Sequence, residues 1–180
     1  MTLEQMVSIV TIFGTIITVF SVIIGGLFAL IKWNESNKIR KAEFFNEIIV
    51  KLRFDKDMVM TRYKIAYGRP WYTSKFHTGI TDTEYSIDKL LSYLSYICYL
   101  KETKNINDKE FLVLQYEIAR TCASRQVMAY LWNLYHFSKS KGLKCSFEHL
   151  IMFGIKNNFL DKDILNEDSV KFRKHKRLEF

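Results

Sequence analysis

The pattern of hydrophobic and polar positions begins with an apolar run over residues 5–31 that contains no charged residue. As a helix, about 26 residues rise roughly 39 Å, enough to cross a hydrocarbon core of about 30 Å with some tilt. A buried core helix would show a polar face, and a signal peptide would have a basic start and a short apolar run. This run has none of these features, so the pattern predicts an uncleaved transmembrane anchor over residues 5–32.

Beyond the anchor, apolar residues recur at the three- and four-residue spacing of amphipathic helices. The predicted helices cover residues 38–53, 55–67, 81–100, 107–138 and 146–158. The connection between the anchor and the first of them is ambiguous, since the helix either runs on or breaks near residues 34–37. The fold class predicted is all-α, with one transmembrane helix followed by a cytosolic up-and-down bundle of four to five helices.

The bundle is predicted over residues 33–158, and residues 159–180 are predicted to form a basic, flexible tail. Asp55 and Ser146 are suited to cap helices, while Asn107 with Glu110 three residues later matches a capping box. The helix over residues 107–138 carries two apolar stripes, which is typical of the central helix of a bundle.

Arg120 stands within one of these stripes, and a buried arginine needs an acidic partner. Glu43 and Glu47, on the helix that follows the anchor, are the partners predicted for it. The interpretation favoured is a structural clamp between helices.

Flanking charge predicts the orientation of the anchor. Glu4 precedes the run, and Lys32, Lys38, Arg40 and Lys41 follow it. The positive-inside rule then places the N-terminus outside and the domain in the cytoplasm, at the inner membrane. All 27 Lys and Arg and 18 of the 19 acidic residues lie after the run, which leaves this part with a net charge of +9. A basic domain under an anionic leaflet is drawn to lipid, and binding to nucleic acid is disfavoured.

A stripe of small residues runs along the anchor at alternating spacings of three and four, comprising Thr11, Gly14, Thr18, Ser21 and Gly25. Small residues allow two helices to approach closely in a membrane, so the stripe predicts a homodimer through the anchor. Chance is the alternative, because the run is rich in Ser, Thr and Gly.

A second cluster lies near the C-terminus and consists of Lys171, Arg173, Lys174, Lys176 and Arg177. Beside a membrane, each such charge contributes about 1 kcal/mol of attraction to anionic lipid. Lipid binding and a solvated tail are equally compatible with this cluster.

Catalytic and metal-binding spacings are absent from the sequence, which predicts no cofactor and favours a protein that is not an enzyme. The four histidines are not at ligand spacing from each other or from Cys98, Cys122 and Cys145. The cysteines are odd in number and far apart, so they are interpreted as reduced core thiols.

Short motifs in the soluble part resemble the DUF4760 group of bacterial membrane-anchored helical proteins. The matching positions are Lys41-Ala42-Glu43-Phe44-Phe45, Leu90-Leu91, Tyr93, Ile97, Ile106, Phe111, Arg120, Tyr130, Phe147-Glu148 and Leu150. They cover most of residues 38–157. The resemblance implies a helical domain on an anchor and implies no activity.

The function predicted is that of a single-pass membrane protein whose helical domain acts through an unidentified protein partner or the lipid surface. Composition and architecture suggest phage–host conflict, by exclusion or abortive infection, as the setting. One alternative is a membrane-tethered, nuclease-like enzyme, which a pocket gathering His77, His136 or His149 with carboxylates would favour. Another is a dimerising signalling module, which needs a continuous helix through residues 34–37.

Overall fold

The computed structural model describes residues 3–68, 70–73 and 81–172, without the side chains of residues 7 and 9–12. This part of the chain is all-helical, and no strand occurs in it. The helices are α1 (Leu3–Arg53), α2 (Lys56–Tyr67), α3 (Asp82–Glu102), α4 (Asp108–Cys122), α5 (Arg125–Ser140) and α6 (Glu148–Lys156), followed by a short 3-10 helix (Lys162–Leu165). The predicted fold class is confirmed, with one long apolar N-terminal helix followed by further helices.

The chain forms two compact units, Met1–Glu47 and Ile48–Phe180, which are described separately. The boundary falls within α1, whose residues 48–53 belong to the second unit. Residues 34–37 are helical, so the anchor helix runs on into the next segment instead of breaking there.

Most helix termini follow the capping residues that the sequence predicts. The Asp55 side chain accepts a hydrogen bond from the backbone N–H of Met58, at 3.0 Å, and starts α2. Asn107 and Glu110 form the reciprocal capping box at the start of α4. The cap predicted at Ser146 is wrong, because α6 begins two residues later, after Phe147.

The single helix predicted over residues 107–138 is also wrong. It is two helices, α4 and α5, separated at Ala123 and Ser124. Ser124 has extended backbone angles (φ −71°, ψ 123°), which end the hydrogen-bond ladder of α4. Serine favours such a position before a helix. The two apolar stripes therefore belong to two helices that contact each other.

The core of the second unit is organised around α3, which packs against α2, α4 and α6. Its inward side chains are fully or almost fully buried and comprise Ile87, Leu90, Leu91, Leu94, Ile97 and Cys98. The end of α1 contributes Ile48 and Leu52 to the same core, and α5 contributes Trp132. Burial of this apolar surface, at about 25 cal/mol per Å², holds the unit together.

Residues 159–172 pack onto the second unit, whereas the sequence predicts a flexible tail from residue 159. Leu160, Ile164 and Phe172 are buried, with relative exposures of 4%, 0% and 6%. The Trp132 indole N–H donates to the carbonyl of Asn166 at 2.9 Å, which ties this segment to α5. The remainder of the predicted tail, from residue 173, lies outside the described residues.

Candidate functional site

The first unit holds the helix that could cross a membrane. It is the one helix in the described part of the chain that is long and apolar enough to do so, and none of its apolar window is buried. Large apolar side chains such as Phe13, Phe20, Ile24 and Phe28 are more than half exposed. Such a surface is far more apolar than that of a soluble helix, so it calls for a covering environment.

The small-residue stripe lies on this helix. The hydroxyls of Thr18 and Ser21 donate to the carbonyls of Gly14 and Ile17, each at 2.9 Å. Both hydroxyls are therefore satisfied within the helix, as hydrocarbon surroundings require. Around Gly14 and Gly25 the space is open. The side chain of Thr11 lies outside the described residues, and dimerisation through the stripe stays a prediction.

In the second unit, two arginines approach one carboxylate, and a third arginine lies one helical turn from it. The Nε of Arg53, at the end of α1, donates to Oε1 of Glu117 on α4 at 2.8 Å. Nη1 of Arg62, on α2, lies 3.8 Å from the same oxygen. Arg120 stands one turn beyond Glu117 on α4. The cluster thus carries three positive charges and one negative charge.

Burial and mutual repulsion act on these guanidinium groups. Burial lowers the pKa of Arg62, and the neighbouring charges of Arg120 and Arg53 lower it further against the opposing effect of Glu117. The side chains of Arg62 and Glu117 are only 17% and 7% exposed. Nε of Arg62, Nη2 of Arg120 and Oε2 of Glu117 are buried without a hydrogen-bond partner in the described part of the chain. Excess positive charge among partly buried groups is unfavourable unless a further anion neutralises it.

Exposed aromatic rings border this cluster. The guanidinium of Arg120 lies 4.9 Å from the ring centre of Tyr67 and 5.8 Å from that of Tyr63, within cation–π range. The two tyrosines are 75% and 55% exposed, and Tyr116, one turn before Arg120, is 67% exposed. We call this surface of α2, α4 and the end of α1 the Arg–Tyr face, consisting of Arg53, Met60, Arg62, Tyr63, Tyr67, Leu112, Val113, Tyr116 and Arg120.

The predicted clamp between Arg120 and Glu43 or Glu47 stays a prediction. Both glutamates are exposed and belong to the first unit, whereas Arg120 belongs to the second. Within the second unit, the contacts of Arg120 are with the rings of Tyr63 and Tyr67. The acidic residue of its cluster is Glu117, which no pattern in the sequence marks out.

A separate cleft of about 720 Å³ lies between the end of α3, the start of α4 and α6. Nδ1 of His149 is 2.8 Å from Oε2 of Glu102 on its wall, and the ring of His149 packs beside Tyr99. Lys101 pairs with Asp108 in the same cleft. One predicted histidine is thus gathered with carboxylates in a concave site, although its side chain and that of Glu102 are 42% and 68% exposed.

The other histidines are not placed in this cleft by the described part of the structure. His136 is buried, and its Nε2 lies 3.0 Å from the carbonyl oxygen of Ile164, where it supports the packing of the C-terminal segment. His77 and His175 lie outside the described residues. Within the described ranges, no group of three or more His, Cys, Asp or Glu side chains is placed to hold a metal ion.

The three cysteines are free and buried, in agreement with the interpretation as core thiols. Burial raises the pKa of Cys98 and Cys145, and it raises that of Cys122 to about 12. These thiols are therefore protonated at neutral pH and unsuited to nucleophilic work.

Of the predicted lipid-binding cluster, Lys171 is described, and Arg173, Lys174, Lys176 and Arg177 lie outside the described residues. Nζ of Lys171 lies 2.6 Å from Asp161 and 2.8 Å from Asp163. Hydrogen bonds to these carboxylates raise the pKa of Lys171. Its charge is engaged within the chain, and lipid binding by the cluster stays a prediction.

A buried polar network joins residues 71–72 to α3 and α5. The backbone N–H groups of Trp71 and Tyr72 donate to Oε1 of Gln126, at 2.6 and 2.8 Å. The Tyr130 hydroxyl donates to Asp88, and Asn133 donates to the hydroxyl of Tyr72 at 2.6 Å. Burial raises the pKa of both tyrosines. The network fixes the start of the segment that follows α2.

Comparison of the chain with protein-family models, with curated proteins and with solved structures finds no match. The resemblance to the DUF4760 group stays a prediction.

Proposed function

We propose that this chain is a single-pass membrane protein whose N-terminus lies outside and whose helical unit acts in the cytoplasm. Support comes from the exposed apolar surface of α1, which hydrocarbon would cover. The flanking charges support the orientation, since Lys32, Lys38, Arg40 and Lys41 follow the span and Glu4 precedes it.

The activity proposed for the helical unit is interaction with another protein, with the lipid surface as the alternative contact. The observation that carries it is the Arg–Tyr face, whose tyrosine, methionine and arginine content is typical of the centre of a protein interface. Interference with phage growth, by exclusion or abortive infection, is the setting we propose for it.

The location is tested with the full-length protein. We expect it in the membrane fraction after ultracentrifugation, and sodium carbonate at pH 11 should not extract it. A reporter enzyme that works only in the cytoplasm should be active when it is fused after Phe180. Recovery in the supernatant, or a mature chain lacking its first 30 or so residues, would refute the anchor. A periplasmic reporter would refute the orientation alone.

Self-association through the small-residue stripe is a further part of the proposal. The continuous helix through residues 34–37 is what a dimerising signalling module requires. Thr18→Cys should form a disulfide-linked dimer in membranes. Phe20→Cys is the control, because two residues along a helix turn the side chain to the opposite face. Equal crosslinking of the two variants, or no crosslinking of either, would contradict dimerisation through the stripe.

A second candidate is a hydrolytic enzyme, which the cleft with His149 and Glu102 favours. A carboxylate that orients a histidine is the arrangement of a general base. The full-length protein would then hydrolyse a phosphodiester probe such as bis(p-nitrophenyl) phosphate, and His149→Gln would abolish turnover. No turnover by the unaltered protein would remove this candidate.

A further inference from the structure

The charge balance of the Arg–Tyr face indicates what its partner carries. Arg53, Arg62 and Arg120 supply three positive charges, and Glu117 neutralises one. Glu117 is 6% exposed, whereas the side chain of Arg53 is 36% exposed, so the solvent side of the cluster is cationic. Two unbalanced guanidinium groups on one face attract an anionic partner.

The free donors of this cluster are guanidinium nitrogens. Nη2 of Arg53 is already engaged, since it donates to the carbonyl of Val113 at 2.6 Å. Nε of Arg62 and Nη2 of Arg120 have no acceptor in the described ranges. Guanidinium groups recognise carboxylates through paired, charge-assisted hydrogen bonds. Both nitrogens are buried, so a partner's carboxylate would instead meet the part of Arg120 that faces solvent, since the residue as a whole is partly exposed.

The surroundings of the cluster select a macromolecular partner over a small anion. None of the three arginines lines the cleft of the second candidate function. Instead, two rows of exposed side chains border them, one on α2 (Met60, Tyr63, Tyr67) and one on α4 (Leu112, Tyr116). The rows follow helical spacing, so each presents a continuous strip. Two neighbouring strips of this kind fit an extended or helical segment.

We propose that the Arg–Tyr face docks a segment of a partner protein in which acidic side chains alternate with apolar ones, a carboxylate meeting Arg120 and the apolar side chains covering the tyrosines. This inference rests on the proposed interaction function. A second copy of the chain is a poor occupant, because like guanidinium charges would oppose each other across a symmetric contact.

The inference is tested in the cells that naturally contain the protein, with full-length chains. Tyr67 or Tyr116, both exposed, is replaced by the photoreactive amino acid p-benzoylphenylalanine. The control position is Tyr99, a 42%-exposed tyrosine that packs beside His149 instead. We expect protein adducts at positions 67 and 116 and none at 99, with two or more Asp or Glu in the crosslinked segment of the partner.

A synthetic peptide with the sequence of that segment is then used to measure affinity. Arg120→Gln should weaken binding about tenfold, because a charge-assisted hydrogen bond is lost, and added salt should weaken it too. Lys139→Gln removes the same charge from the exposed end of α5 and should leave the affinity within about twofold.

Several outcomes would overturn the docking face. These are no adduct at either tyrosine, adducts to lipid or to a second copy, a crosslinked segment without acidic residues, and equal affinities for the two variants. Adducts at Tyr99 alone would overturn the face while leaving the proposed interaction function in place. Carbonate extraction of the same cells tests the anchor independently.

Discussion

At the scale of single residues, the position of Glu117 decides the electrostatics of the second unit. It is the one carboxylate within 4 Å of the guanidinium groups of Arg53 and Arg62 in the described part of the chain. Both arginines approach its Oε1, and its Oε2 has no hydrogen-bond partner in the described part of the chain. Removing its charge would leave partly buried arginines facing each other.

Glu117→Gln should therefore destabilise the protein. We expect the free energy of unfolding to fall by about 2 kcal/mol, less than for a fully buried pair because the Arg53 side chain is 36% exposed. Denaturant unfolding in detergent, followed by circular dichroism, measures the change. Glu102→Gln is the control, since its side chain is 68% exposed and should contribute below about 1 kcal/mol. If Glu117→Gln left the protein as stable as the parent, this role would be contradicted.

The cysteines give a second prediction at this scale. Burial raises the pKa of all three thiols, that of Cys122 to about 12, so the reactive thiolate is scarcer in the folded protein than in the denatured chain. Iodoacetamide at pH 8 should modify the native chain at least ~100-fold more slowly than the denatured chain. Mass spectrometry counts the adducts. Rapid modification of any cysteine in the native state would show that its site opens readily.

At the scale of elements, the turn after α6 depends on a close approach. The residues after α6 fold back so that Leu160 lies directly against Gly154. A Cβ at position 154 would come within 2.6 Å of Cγ and Cδ1 of Leu160 and 3.3 Å of its Cβ. A glycine within a helix is unfavourable by about 1 kcal/mol, so a packing requirement explains its presence here.

Gly154→Ala should lower the free energy of unfolding by about 1–3 kcal/mol, because overpacking outweighs the better helix propensity of alanine. Thermal and denaturant unfolding in detergent measure the effect. If contact with Leu160 is the cause, adding Leu160→Ala should relieve it, so that the double variant loses less than the two single variants together. Additive losses would place the cause elsewhere.

At the scale of the whole molecule, the second unit extends further along the chain than its helical periodicity indicates. The 3-10 helix and the residues after it bring Ile164 and Phe172 onto α5, where Phe172 stacks 6.2 Å from the ring of Trp132. The segment over residues 159–172 therefore contributes side chains to the core, namely Leu160, Ile164 and Phe172.

Ile164→Ala tests this directly. Its side chain is 0% exposed, and truncating a buried isoleucine should lower the free energy of unfolding by about 2–4 kcal/mol. The matched control is Val170→Ala in the same segment, 76% exposed, with an expected change below about 0.5 kcal/mol. If Ile164→Ala were as stable as Val170→Ala, the segment would contribute nothing to the stability of the core.

Local pattern predicted a large part of this architecture. The apolar run in α1, the cap at Asp55 and the capping box of Asn107 and Glu110 are all confirmed. Each depends on residues within a few positions of each other. The break at Ser124 is not predicted by this pattern, because the apolar periodicity continues through it and a single serine is a weak signal against that background.

The candidate site was predictable only in part. Arg120 stood out as a charge in an apolar stripe, and His149 as a candidate if a cleft gathered it with carboxylates. Their neighbours did not stand out, because Arg53 and Glu117 are 64 positions apart and His149 and Glu102 are 47 apart. Polar side chains carry no periodicity that would pair them over such distances.

The sequence by itself determined that this protein is helical, that its first helix is suited to lipid, and where most helices begin. These properties follow from hydrophobicity and from hydrogen bonds between near neighbours along the chain. Only the tertiary structure decided that Glu117 lies against Arg53 and Arg62, that tyrosines of α2 border Arg120, and that residues 159–172 add side chains to the core. These depend on which helix faces pack together, and packing is set by the combined shape of side chains that are distant in sequence.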